Sequence, residues 1–291
     1  MGLNPLVVPN GIPKSLLEKV DDGQAKCVQD ALNAETILCK VARWDPDKCW
    51  DSAIEATAEL KRRGVKATLL ARGGIEPYGQ HVMEHARDLG LRVLEAEADQ
   101  ETPTGYVEAL QGAACAELVN VKSPLPLAFL RVIYRAADGV LANSGHEPFG
   151  IVGLETMAAG GVAFTGCTGE DYAIPYVNAL VLETSDPVEI ADYVMYLREH
   201  PEESSRIRKE ARRSARLFTW EAAARNLIRK LENQARIQHV IGGHAEDKTP
   251  APFDMNEGAL EGDPDLRENP PGDPLPSLLN KEEERPLQTG K

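Results

Sequence analysis

Several things are scarce in this chain, and each absence narrows what it does. No uncharged apolar stretch approaches the ~18 residues needed to span a bilayer. The longest candidate, residues 156–168, is broken by Gly160, Gly161 and Gly166. Positive charge is in deficit: 32 Lys and Arg face 46 Asp and Glu, a net charge of −14. A general affinity for nucleic acid or anionic lipid needs a basic face, so neither partner is expected. The start, MGLNPLVVPNG, has no basic n-region, and Pro5, Pro9 and Gly11 interrupt its apolar run, so no secretory signal is expected. Cysteines number five (Cys27, Cys39, Cys49, Cys115, Cys167), odd and irregularly spaced, with no CxxC. They read as reduced thiols in a cytoplasmic protein.

What is present is ordinary globular material, 42% hydrophobic and 27% charged over 291 residues, enough for one large domain or two small ones. Composition changes near Gly242. From there to the end lie eight of the twenty prolines, and twelve Asp and Glu against five Lys and Arg. Such a segment buries too little to offset its ordering entropy, so residues 239–291 are expected to be an acidic, proline-rich disordered tail. Residues 1–238 alternate short apolar runs with amphipathic stretches. The runs at 37–42, 67–71, 91–94, 118–121, 140–142, 162–165 and 179–182 suit strands buried on both faces. Helical spacing joins Trp50, Ala53, Ile54, Thr57 and Leu60, with Gly64 as the stop. Further helices are expected over 80–89, 125–137, 187–199 and 202–217, and a last one from the N-cap Thr219 to about Gln238. This alternation predicts an α/β fold, a Rossmann-like doubly wound parallel sheet with ligands at the carboxyl ends of its strands.

Two loops at such ends carry chemistry. After the first core run comes Ala42-Arg43-Trp44-Asp45-Pro46-Asp47-Lys48-Cys49-Trp50. Arg43 and Lys48 suit a diphosphate, one as a fork and one as a point charge, although solvated surface charge gives the same pattern. After the run at 140–142 comes Ser144-Gly145-His146-Glu147-Pro148-Phe149-Gly150-Ile151-Val152-Gly153-Leu154-Glu155. Pro148 and Gly150 suit the entry to a helix whose free N–H groups hold an anion. Glu155 lies one turn beyond Ile151 on the same face, so it and Glu147 can both face a ligand. Two carboxylates repel phosphate; they are suited to accepting hydrogen bonds from the hydroxyls of a sugar.

The S-x-x-E-P-F-G-I-V-x-L-E segment, with its Glu-x7-Glu spacing, resembles the hallmark of the retaining GT-B glycosyltransferases that include bacterial glycogen synthases and sucrose synthases. A-R-W-D-P-D-K resembles that family's G-R-x-x-x-x-K-G diphosphate motif. Val7-Val8-Pro9-Asn10-Gly11-Ile12 is similar to its entry into the C-terminal domain, and Phe218-Thr219-Trp220-Glu221 to the opening of its last helix. The resemblance implies the C-terminal, donor-binding half of a GT-B fold, with a nucleoside diphosphate sugar as donor substrate and no metal or other cofactor. It implies that Arg43 and Lys48 bind the diphosphate, and that Glu147 is the catalytic residue on the hydroxyls of the transferred sugar. Phe149, Gly150 and Ile151 then place backbone groups against sugar and phosphate, Glu155 holds the ribose, and the base lies near residues 120–124.

Departures from the pattern are Ala42 and Cys49, each where the family usually has Gly. The chain also opens where the family's C-terminal domain begins. Transfer is therefore expected to need an acceptor-binding domain or subunit in trans, which in relatives supplies a catalytic histidine. The alternative is a non-catalytic nucleotide-sugar-binding module or an inactive remnant. Three further patterns are open. His81-Val82-Met83-Glu84-His85 has metallopeptidase spacing but falls on a surface helix with no clear third ligand. Gly73-Gly74 suggests a dinucleotide loop or a plain turn, and Gly166-x-x-Gly169-Glu170 resembles a donor-side loop of the family.

Overall fold

Strand β1 (Thr36–Val41) lies in the middle of the sheet and shows why the strands are so apolar. Its side chains alternate between two helical layers. Leu38 packs with Trp50, Ile54 and Leu60, whereas Ile37 and Cys39 pack with Val28, Leu32 and Phe129. These contacts come from a computed structural model that describes residues 8–145 and 147–238. The other strands are β2 (Ala67–Arg72), β3 (Val93–Ala96), β4 (Leu118–Val121), β5 (Gly139–Ala142), β6 (Ala163–Thr165) and β7 (Leu180–Val181). All pair in parallel, in the order β3-β4-β2-β1-β5-β6-β7.

The helices are α1 (Asp22–Leu32), α2 (Trp50–Arg62), α3 (Tyr78–Asp88), α4 (Pro103–Gly112), α5 (Leu127–Ala136), α6 (Ile151–Ala158), α7 (Pro187–Glu199), α8 (Pro201–Ala215) and α9 (Trp220–Ile237). One layer holds α2, α3 and α7, and the other α1, α4 and α5. A third cluster joins α6 and α8 through Leu154, Met157, Ala211 and Ala215 to Ile12 and Phe218. The doubly wound α/β fold is therefore as expected. The expected tail, residues 239–291, and Val7 lie outside the described residues, as does His146.

Boundaries moved where caps decided them. Residues 91–94 were expected as a strand, but β3 begins at Val93. Gly90 at φ 74° closes α3, with the Leu91 N–H on the Ala86 carbonyl, so Leu91 belongs to the helix stop. The helix expected over 202–217 ends at Ala215 and tightens into a 3-10 turn, Arg216–Phe218. Helices α1 and α4 were not anticipated. The stop of α1 is Asn33 at φ 49°, not the Gly or Pro that punctuates a sequence more visibly. α4 carries a start signal nonetheless, Thr102 capping the Gly105 N–H at 3.1 Å with Pro103 in the first turn.

Two landmarks far apart in sequence meet in space. Ile12 donates to the Phe218 carbonyl at 2.8 Å, and Trp220 donates to the Ile12 carbonyl at 3.1 Å. A Cβ on Gly11 would stand 2.8 Å from the Trp220 nitrogen, so only glycine lets these backbones approach so closely. From β1 the chain passes to β2, then to the edge strand β3, returns to β4 between them, and crosses back to β5 on the other flank of β1. The loops after β1 and β5 therefore diverge at a topological switch point and leave a crevice between them.

Candidate functional site

The loop after β1 is held rigid by two tryptophans. Trp44 and Trp50 pack with ring centroids 4.2 Å apart and planes tilted by 41°, and the Trp50 indole N–H donates to the Arg43 carbonyl at 2.8 Å. Asp45 accepts from the Asp47 N–H at 2.9 Å, and Pro46 starts a 3-10 turn over Pro46–Lys48. Cys49 then takes the left-handed conformation, φ 51° and ψ 47°. This explains the glycine that the resembling motif has here: the turn demands positive φ, and Cys49 adopts it with strain.

The loop after β5 docks onto the first. The Gly145 N–H donates to the Asp47 carbonyl at 2.8 Å. Gly150 precedes α6 at φ 70° and ψ 62°, and as the N-cap it offers no side-chain acceptor. The Gly153 N–H turns to the Gly150 carbonyl at 3.2 Å and the Leu154 N–H meets the Tyr172 hydroxyl, which leaves the Ile151 and Val152 amides at the positive end of the helix dipole, beside the crevice. Gly150 is fixed from behind: Tyr172 donates to its carbonyl, and a Cβ there would stand 2.8 Å from the Thr168 Cβ.

Between the loops lies a cleft of about 190 Å³ lined by Arg43, Lys48, Ser144, Glu147, Gly150 and, at its base, Lys40. Lys48 Nζ stands 3.0 Å from Glu147 Oε2, with side chains 14% and 31% exposed. The two residues expected to divide a ligand between them hold each other instead in the free protein. Arg43 is exposed at the rim.

Phe149 turns its ring away from the cleft, 5.3 Å from Tyr172 and 6.4 Å from Phe218. It and Ile151 pack against the α6–α8 cluster, so only their backbone is free to face the cleft. Glu155 lies one turn further into α6, outside the cleft lining and half-buried. Burial pushes its carboxyl above the usual range, and the Tyr134 hydroxyl, donating at 3.4 Å, opposes that rise.

Lys40 was missed. Its signal was a lone charge inside an otherwise apolar run, and it is 1% exposed. Nζ donates to Asn143 Oδ1 at 2.7 Å and to the Leu141 carbonyl at 3.1 Å. Burial pulls its ammonium down to about 7.

The three open patterns resolve into structure. Trp44 fills the space beside Gly73 where a side chain would be, and packs on Gly79 as well, so Gly73-Gly74 is a packing turn. His81 and His85 stack within 4° of parallel on α3 and face Asp51 and Glu55 of α2, at 3.8 and 3.2 Å. No group of three His, Cys, Asp or Glu side chains fit to hold a metal ion occurs among the described residues. In the loop after β6, Thr168 donates to the Ala142 carbonyl at 3.0 Å and Glu170 is exposed. Residues 120–124 lie beyond the cleft, with the Ser123 hydroxyl accepting from the Ala98 N–H at 2.7 Å. All five cysteines are free, and no described helix is long and apolar enough to cross a membrane.

A doubly wound parallel sheet with basic side chains and a helix N-terminus at its switch point defines a class of anion-holding α/β domains. Within that class, the family described as glycosyl transferases group 1 matches residues 28–214, and the chain belongs to it, with the fold of a GT-B C-terminal domain. A D-inositol 3-phosphate glycosyltransferase of Frankia alni is 28% identical over 229 residues, 77% of this chain and 51% of that relative. The chain spans about half the length of the curated relatives it matches. Sucrose-phosphate synthase of Thermosynechococcus elongatus superimposes with a TM-score of 0.56 at 24% identity, over 79% of this chain and 52% of that one. Anabaena HepE, solved with UDP-glucose, superimposes at 0.59 and 18% identity, over 78% and 57%.

Proposed function

We propose that the cleft between the β1 and β5 loops binds a nucleoside diphosphate sugar, and that the chain is the donor domain of a retaining glycosyltransferase. The single observation that carries this reading is the convergence of Arg43, Lys48 and the N-terminus of α6 on one cleft. Three sources of positive potential at one switch point suit a diphosphate better than any neutral ligand.

In this reading Lys48 leaves Glu147 when the diphosphate arrives, and Arg43 closes from the rim. Glu147 is then free to accept from a sugar hydroxyl, while the backbone of Phe149, Gly150 and Ile151 lies against sugar and phosphate. Glu155 holds the ribose. During transfer, negative charge grows on the departing nucleoside diphosphate. The recruited cations and the helix amides stabilise that charge without a metal ion. The sugar keeps its anomeric configuration, and the acceptor comes from a domain or subunit that completes the cleft.

Calorimetry of the full chain with UDP-glucose and GDP-mannose tests the binding step. A panel of acceptors with and without a partner domain tests transfer. Donor binding with transfer supports the enzyme; donor binding with no turnover under any condition supports a binding module. No binding of either nucleotide sugar refutes both.

A further inference from the structure

Among the described charged residues that line the cleft, Lys40 is the one that the donor reading leaves without a task. It lies inside a strand covered on both faces, where an ammonium is retained only if its desolvation is compensated. Asn143 Oδ1 and the Leu141 carbonyl accept from it, and the Trp50 ring lies 5.7 Å away. An ammonium has three donors, and these acceptors occupy two. Among the described residues no carboxylate pairs with it directly. The ionisable groups acting on it are Cys39 on its own strand, Lys48 and Cys49 in the loop after β1, and Glu147 after β5; β2 presents only Ala71 opposite. It nevertheless borders the cleft that Lys48 and Glu147 also line.

We propose that Lys40 is a third cation of the donor site, a buried ammonium that fixes Asn143 and stabilises the bound diphosphate from beneath. This rests on the donor reading and deepens it. A charge below the cleft floor is screened far less than Arg43 at the rim, so it acts through the protein at close range. It also couples binding to a proton. In the free protein, burial holds Lys40 at about 7, so near neutral pH only part of the population is charged. A diphosphate above it favours the charged form and raises that value. Binding therefore takes up a proton, and affinity is greatest below about pH 7 and declines as pH rises through it.

The test is calorimetry of the full chain with UDP-glucose and GDP-mannose, in two buffers of different ionisation enthalpy, from about pH 6 to about pH 8.5. The diphosphate ester of these probes does not titrate in that window, so the uptake reports on the protein. Wild type is expected to take up roughly half a proton near pH 7. Lys40→Met loses the uptake and binds roughly tenfold more weakly. Lys40→Arg keeps the charge, so its affinity is flat with pH. Uptake is retained in His146→Gln, which removes the imidazole that follows Gly145 in the sequence.

Wild-type binding without uptake overturns the inference and leaves the donor reading intact, and needs no variant to fold. Uptake that persists in folded Lys40→Met, or vanishes in His146→Gln, does the same. Failure of wild type to bind either probe overturns the donor reading and the role of Lys40 with it.

Discussion

Replacing Glu147 by Gln separates two tasks that the cleft assigns to one carboxylate. In the free protein Glu147 holds Lys48 at 3.0 Å, and the pair is neither fully buried nor fully exposed. Such a pair is worth about 1 kcal/mol, which an incoming diphosphate must offset to recruit Lys48. UDP has the diphosphate and no sugar. Its affinity for Glu147→Gln should therefore rise by about 1 kcal/mol, roughly fivefold, and relief of carboxylate–phosphate repulsion acts in the same direction. UDP-glucose gains the same release but loses a charged hydrogen bond to a sugar hydroxyl, costing ~1.5–3 kcal/mol. Its net affinity should fall, and the preference for UDP-glucose over UDP should drop by roughly 10- to 150-fold. Calorimetric titration of wild type and variant with both ligands reads these numbers directly. A parallel fall in affinity for both, or no change in either, refutes the division of labour between Lys48 and Glu147.

Three other outcomes follow from single positions. Gly150→Ala places a Cβ 2.8 Å from the buried Thr168 side chain at φ 70°, so it should lower stability by ~2–4 kcal/mol in chemical denaturation. Cys49→Gly relieves left-handed strain at φ 51° and gives back some chain entropy on unfolding. A net gain of ~0.5–1 kcal/mol is expected, and a loss would show that the thiol makes a contact worth more than the strain. Glu155→Ala should weaken UDP binding by ~1–3 kcal/mol through the lost ribose contact, and unchanged affinity for UDP contradicts that role.

The sheet was legible because strands covered on both faces read as short apolar runs. Those at 118–121 and 140–142 fall on β4 and β5 almost to the residue. The two site loops were legible for a related reason: Asp45-Pro46 and Pro148/Gly150 are turn chemistry at strand ends. The pairing of Lys48 with Glu147 was not legible, since it depends on β1 and β5 being neighbours, and strand order is not written in any local pattern. Lys40 passed unremarked inside the run at 37–42 and borders the cleft, because only the packing of Trp50 and Asn143 shows what surrounds it. Gly73-Gly74 is the plain turn that its second reading expected, but its cause was not legible nearby. The residue that explains Gly73 is Trp44, a loop away, filling the space over it.

The central claim is that a donor diphosphate binds between the β1 and β5 loops, at the N-terminus of α6. Backbone amide resonances of the isotopically labelled full chain, followed during titration with UDP-glucose and GDP-mannose, test it most directly. The largest shifts are expected on residues 43–49 and 147–152, with Asn143 close behind. Shifts confined to the amino end of β2, around Gly64 and Lys66, or no shift with either ligand, would contradict it.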